Sequence, residues 1–80
     1  MSDVRIEVEA HAGYRGDERP RRFVVEGEPV TVIEILRMWV EEDQESRGRK
    51  RSFLVKGNDG FLYSIYYDLE LLAWYLRSRE

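Results

Sequence analysis

The chain has 80 residues, 42% of them hydrophobic and 12% aromatic, no cysteine and a net charge of −3. That length makes one small domain with a modest core, and the missing cysteines exclude disulfides and thiolate metal ligands. The mild charge gives no whole-molecule field toward nucleic acid, no stretch nears the ~20 apolar residues of a membrane span, and Met1 to Arg5 do not read as a signal peptide, so the expectation is a cytoplasmic protein with no membrane partner.

Residues 4–10 alternate, with Val4, Ile6, Val8 and Ala10 against Arg5, Glu7 and Glu9, as in a half-buried strand. His11 to Pro20 is rich in glycine and charge and reads as a long polar loop. Arg21 to Glu26 is a second strand. Gly27-Glu28 suits a type II′ turn that would pair Val25 with Val30 and Phe23 with Val32. Pro29 then falls at the start of the third strand, where proline is tolerated.

Thr31 to Val40 fits two periods. As a helix it carries a stripe of Val32, Leu36 and Val40, and Thr31 with Glu34 would form a capping box. As a strand it is apolar on both faces, and Glu34 on an otherwise apolar face calls for a bulge or bend. The local pattern leaves both open, with a long bent strand preferred and a short helix within 31–40 as the alternative. Glu41 to Arg51 is an acidic block followed by a basic one and reads as a flexible, solvated loop.

The strongest local signal is Arg51 to Tyr67, where two β-rich runs flank Asn58-Asp59-Gly60. A two-residue turn would leave neither face cleanly apolar. A three-residue loop with Gly60 left-handed pairs Val55 with Tyr63 and Phe53 with Ile65, and gathers all four on one face. Asp68 to Leu72 is then a turn and Ala73 to Arg77 a short last strand, with 78–80 as a fraying tail. The expected inward set is Phe23, Val25, Val30, Val32, Phe53, Val55, Tyr63, Ile65 and Trp74.

The order Gly13-Tyr14, Asp17-Glu18-Arg19-Pro20, Phe23, Gly27, Val32, Trp39, Phe53-x-Val55, Asp59-Gly60, Tyr63, Asp68 and Trp74 resembles an uncharacterised family of small bacterial β-rich proteins. Some members are free-standing, and others look like a domain appended to Y-family-polymerase-like mutagenesis proteins. The resemblance runs from about Val4 to Arg77 and departs at Glu41–Arg51, where relatives have a shorter connection. It implies a small, strongly bent antiparallel barrel, which favours strand for Thr31–Val40, and it implies no activity. Fold expectation is therefore mainly β: a barrel or roll of five to six strands, SH3-like in general shape, in a single domain spanning 1–80.

Chemistry-bearing patterns are sparse. His11 is the sole histidine and fits no metal-ligand spacing, so it reads as a surface residue. Without cysteine or a Gly-x-Ser-x-Gly elbow there is no marked nucleophile. Gly13 to Gly16 lacks the Gly-Lys-Ser/Thr of a phosphate loop. No cofactor is implied, and the chain reads as a non-enzymatic binding module.

Three candidate surfaces follow. Leu54, Leu62 and Tyr66 face away from the core and form an apolar surface for a protein partner or weak self-association, unless Leu69, Leu71 or Leu72 covers them. Tyr14, Arg15 and Arg19 form a candidate recognition loop. Arg47, Arg49, Lys50 and Arg51 form a candidate basic loop. With Arg19, Arg21, Arg22 and five tyrosines, that loop could meet phosphates and bases. The runner-up role, a nucleic-acid-associated accessory protein in DNA repair, is what the mutagenesis-protein context of the resembled family implies.

Overall fold

The computed structural model describes residues 3–12, 18–42 and 48–80. Six strands run in chain order: β1 (Val4–Ala12), β2 (Glu18–Val25), β3 (Glu28–Glu42), β4 (Arg49–Gly57), β5 (Leu62–Asp68) and β6 (Ala73–Arg79). Each pairs antiparallel with the next, and β6 returns to β1, closing a barrel. The described residues contain no helix, so Thr31–Val40 is strand.

The β4–β5 hairpin has the register that its faces require. Val55 pairs with Tyr63 and Phe53 with Ile65, and Gly60 adopts φ +88°. The Gly57 N–H donates to the Phe61 carbonyl at 2.9 Å, and Gly60 N–H to the Gly57 carbonyl at 3.0 Å. Asn58 fastens this tip to β3: its N–H donates to the Thr31 carbonyl, and its side-chain oxygen accepts from the Thr31 N–H.

Inside the barrel, Phe23, Val25, Val30, Phe53, Val55, Tyr63, Ile65 and Trp74 are buried, as their alternation requires. Val32 is only half-buried, and Ile6 of β1 joins the core. Phe23 meets Tyr63 edge-on at 5.0 Å, and Phe53 lies 5.5 Å from Trp74. Such aromatic pairs contribute about 0.5–1.5 kcal/mol beyond their area.

Four expectations are corrected. The β2–β3 turn is Glu26-Gly27, both at positive φ (51° and 80°), so it is type I′ and pairs Phe23 with Val30 and Val25 with Glu28. This displaces the expected register by two residues, and an even shift leaves every side chain on its expected face. The loop expected at His11–Pro20 is shorter, because β1 continues through Ala12 and β2 begins at Glu18. A bulge at Glu9/Ala10 keeps that pairing going past Pro20, which has no N–H to give.

The charged block is also mostly strand: Glu41 and Glu42 end β3, and Arg49 to Arg51 begin β4, in unbroken pairing. Alternation lets charged side chains project outward from a strand as readily as from a loop. Residues 43–47 of that block lie outside the described residues. Finally, the tail does not fray. Ser78 and Arg79 pair with Ser64 and Tyr63, and Glu80 exchanges two 2.7 Å backbone bonds with Leu62.

β3 resolves its double pattern with two bulges, one between Val32 and Glu34 and one between Ile35 and Arg37. Each inserts a residue, so inward positions fall at Val32, Ile35 and Met38, three apart. Glu34, Arg37, Trp39 and Glu41 are thereby turned outward.

Gly57 sits where β4 crosses Val30. A Cβ there would lie 2.6 Å from Val30 Cγ1 and 3.0 Å from a Tyr63 ring carbon. Gly57→Ala should destabilise the fold by about 1–3 kcal/mol through overpacking. The Val30 contact is the shortest, with Asp59 Oδ1 next at 2.8 Å, so the double variant Gly57→Ala/Val30→Ala should lose less than the sum of the singles. Denaturant melts of all four proteins measure the coupling, and simple additivity would show that the crowding lies elsewhere.

Candidate functional site on the outer face and open edge of β3

The registers lay one outward row across five strands: Trp39, Ser52, Tyr66, Tyr75 and Arg5. Glu41 stands beside this row and collects its donors. Trp39 Nε1–H donates to Glu41 Oε2 at 2.7 Å, and Ser52 Oγ–H at 3.1 Å. Arg77 binds the same carboxylate with both ends of its guanidinium, at 2.8 and 3.1 Å. These bonds, led by the one from Arg77, hold the Glu41 carboxyl down from its ordinary 4.5 to about 2.

Tyr66 is the second hub. Its hydroxyl donates to Asp3 at 2.6 Å, and its ring stacks with Tyr75 at 5.4 Å. The Arg77 guanidinium and the Lys50 ammonium stand 4.8 and 5.0 Å from the ring centre. Desolvation first, then the Asp3 carboxylate, pushes the Tyr66 hydroxyl well above its usual range. Tyr63 is pushed up in the same way, and it donates to Asp59 at the hairpin tip. None of these shifts moves a group toward neutral pH, where general acid–base chemistry operates best. Among the described residues no three His, Asp or Glu side chains gather as a metal-binding group.

The expected apolar surface is therefore corrected. Leu54, Leu62 and Tyr66 do share the outward face, but Tyr66 is buried under charged side chains and the two leucines are half-buried. Leu71 and Leu72 are exposed and do not cover it; Asp3, Lys50, Tyr75 and Arg77 surround Tyr66 instead.

The basic candidates also separate. Lys50 points outward over Tyr66. Arg51 pairs with Val40 and Tyr67 on the opposite face, and Arg49 makes an exposed 3.0 Å ion pair with Glu42. Alternation along β4 thus divides what the sequence runs together, and Arg47 lies outside the described residues. Of the recognition loop, Tyr14 and Arg15 lie outside the described residues. Arg19 is an exposed residue of β2, beside a groove of about 230 Å³ that Pro20, Arg21 and Val32–Ile35 also line.

A different feature, hidden in the sequence, is the open edge of β3. β2 pairs with β3 only over Glu28–Thr31, while β4 follows β3 to Glu42. Among the described residues, nothing pairs with the other side of Arg37–Glu42. Hydrogen bonds at both ends of β4, Leu69 N–H to Arg49 carbonyl and Gly57 N–H to Phe61 carbonyl, aim Arg49 and Gly57 at β5. Strand alternation then aims the backbone of Lys50, Ser52 and Leu54 at β3, where they meet Glu41, Trp39 and Arg37. Met38 and Val40 consequently turn their N–H and C=O groups away from β4, onto the open edge. Their side chains are 50% and 60% exposed, with Leu36 at 40% and Ile33 at 59%.

Compared with known proteins, the chain matches no family model, no curated protein and no solved structure.

Glu41→Gln should lower stability by about 1–2 kcal/mol at neutral pH, a figure already reduced for the one-third exposure of both Glu41 and Arg77. The sign follows from the depressed carboxyl. The ionised form is favoured in the folded chain, so its contribution is complete above the unfolded value near 4.5 and is lost as pH falls toward about 2. Melts of wild type and variant should converge over that interval. A gap that persists at the acid end would show that the carboxylate charge is not its source.

Proposed function

We propose that this chain is a non-enzymatic interaction module that takes an extended protein segment onto the open edge of β3 by strand addition. The observation that carries this reading is the row Leu36 to Glu42. Among the described residues its backbone groups at Met38 and Val40 have no strand partner on that side, and it carries exposed apolar side chains. Such an edge is a template for another strand unless it is blunted by proline, lysine or a bulge. The β2 edge is blunted, by Pro20 and its flanking arginines. Both β3 bulges end before Arg37, so the six residues beyond them are regular.

The Glu41 and Tyr66 networks support a binding role for this face. They fix Trp39 and the outer surface of β3 in place, as a rigid shelf next to the edge. They hold Glu41 ionised and Tyr66 protonated, which suits a scaffold better than a proton-transfer site.

Selection of extended peptides from a displayed library tests the reading. Bound sequences should alternate apolar with polar residues, and they should lose affinity for Val40→Pro by about tenfold or more, since proline removes an edge N–H that β4 does not use. Failure to enrich any peptide, or equal binding by folded Val40→Pro, would overturn it.

A further inference from the structure

We propose that the strand received by the β3 edge is β3 of a second copy of this chain, in an antiparallel pair centred on Trp39; this rests on the strand-addition reading above.

Backbone direction limits the registers available. Only Met38, Val40 and Glu42 present their N–H and C=O groups at the regular part of the edge, so hydrogen-bonded pairs across a two-fold axis must come from these residues. A register with Met38 opposite Met38 sets Val40 against the bulge residue Leu36 and leaves Glu41 opposite Ile35. A register with Val40 opposite Val40 sets Met38 against Glu42 and Glu41 against Trp39. The intermediate register places Met38 opposite Val40 of the second copy, twice by symmetry, each pair exchanging both N–H···O=C bonds. Apolar then meets apolar.

The side chains of that register are complementary as well. Trp39 meets Trp39 at the axis in a non-hydrogen-bonded pair, where side chains approach most closely. Arg37 lies opposite Glu41 of the second copy on both sides of the axis. Among the described residues this register alone joins opposite charges; pairing Val40 with Glu42 instead would set Glu41 against Glu41. Arg37 already stands 5.6 Å from the Trp39 ring, on the outward face where it would reach across. Glu41, already held ionised by Arg77, needs no proton loss to receive it. A two-fold contact is self-complementary, as an isologous interface demands.

The contact is short, far below the roughly 1,200 Å² of a stable dimer, so association is weak and concentration-dependent. Trp39 rather than the Leu54–Tyr66 surface sits at its centre.

Sedimentation across about 1 μM to about 1 mM, with single-cysteine cross-linking, tests this. Wild type should pass from monomer to dimer. Folded Val40→Pro and Arg37→Glu should each weaken that transition about tenfold or more, the first by removing edge donors and the second by placing like charges across the axis. The chain has no cysteine of its own, so Met38→Cys, Trp39→Cys and Val40→Cys can each report one register. Mild oxidation should link Trp39→Cys across the axis, where Cα atoms about 4.5 Å apart suit a disulfide, and should leave the other two largely monomeric. Preferential linking of Met38→Cys or Val40→Cys would overturn the register. A wild type that stays monomeric to the highest concentration overturns the second copy as occupant. If library peptides still bind that monomer and release from Val40→Pro, the strand-addition reading stands without it. If they do not, both fall.

Discussion

The pair of bulges in β3 is the constraint on which the barrel depends. A regular strand through Val32–Glu42 would turn every second residue inward and so could not put Val32, Ile35 and Met38 on one face. By inserting one residue after Val32 and another after Ile35, the chain keeps these on the core side and expels Glu34 and Arg37. Bulges also bend the strand and increase its twist, and that bend lets one strand of 15 residues pair with β2 over Glu28–Thr31 and with β4 from Val32 to Glu42. The same geometry carries β3 past the end of its pairing with β2, so closing the barrel and exposing the edge have one cause.

The outer face of the sheet is organised by a carboxylate rather than by apolar cover. Glu41 accepts bonds from Trp39, Ser52 and Arg77, which come from β3, β4 and β6. The carboxylate thus ties three strands on the side of the sheet that the core does not reach. Charge-assisted bonds are the stronger class, but these groups are about one-third exposed, so solvent screens them. Their effect is better understood as orientation. With Trp39 held by its N–H and Tyr66 enclosed by Asp3, Lys50, Tyr75 and Arg77, the aromatic rings have fixed places instead of forming a sticky surface.

Much of the fold was legible in the sequence because face and turn chemistry agree where it is simplest. Around Gly60 a single register gives one apolar face, and the structure adopts it. At the β2–β3 turn the local cue misled: Gly27 looks like the first central residue of a type II′ turn, yet Glu26 takes a left-handed conformation that a non-glycine residue rarely adopts. The inward set survived because the displacement was even. Thr31–Val40 could not be resolved locally, since the same run holds a helical stripe at Val32, Leu36 and Val40 and, read as a strand, apolar residues on both faces. The candidate surfaces fared less well for a related reason. A charge run such as 41–51 looks solvated in one dimension, but alternation divides its strand residues 41–42 and 49–51 between two faces, and Glu41 takes its partners from Ser52 and the distant Arg77.

Two strand edges lie near each other where β2 and β3 part, and they have been treated differently. On β2, Pro20 supplies no donor, and Arg19 and Arg21 add charge and bulk. Both features deter a further strand. On β3, the residues whose backbone faces the opening are Met38 and Val40, which deter nothing. Charge along Arg37–Glu42 is confined to the outward positions and to Glu42 at the end. Had the outward and edge-facing roles fallen to the same residues, the edge would be both charged and hydrated. The two bulges prevent that, because they set the phase that places Arg37 and Glu41 on the outer face, hydrogen-bonded to β4, and Met38 and Val40 between them. In the strand addition proposed above, this phase would decide what can join: an incoming strand would set apolar residues against Met38 and Val40, and charges of the right sign against Arg37 and Glu41.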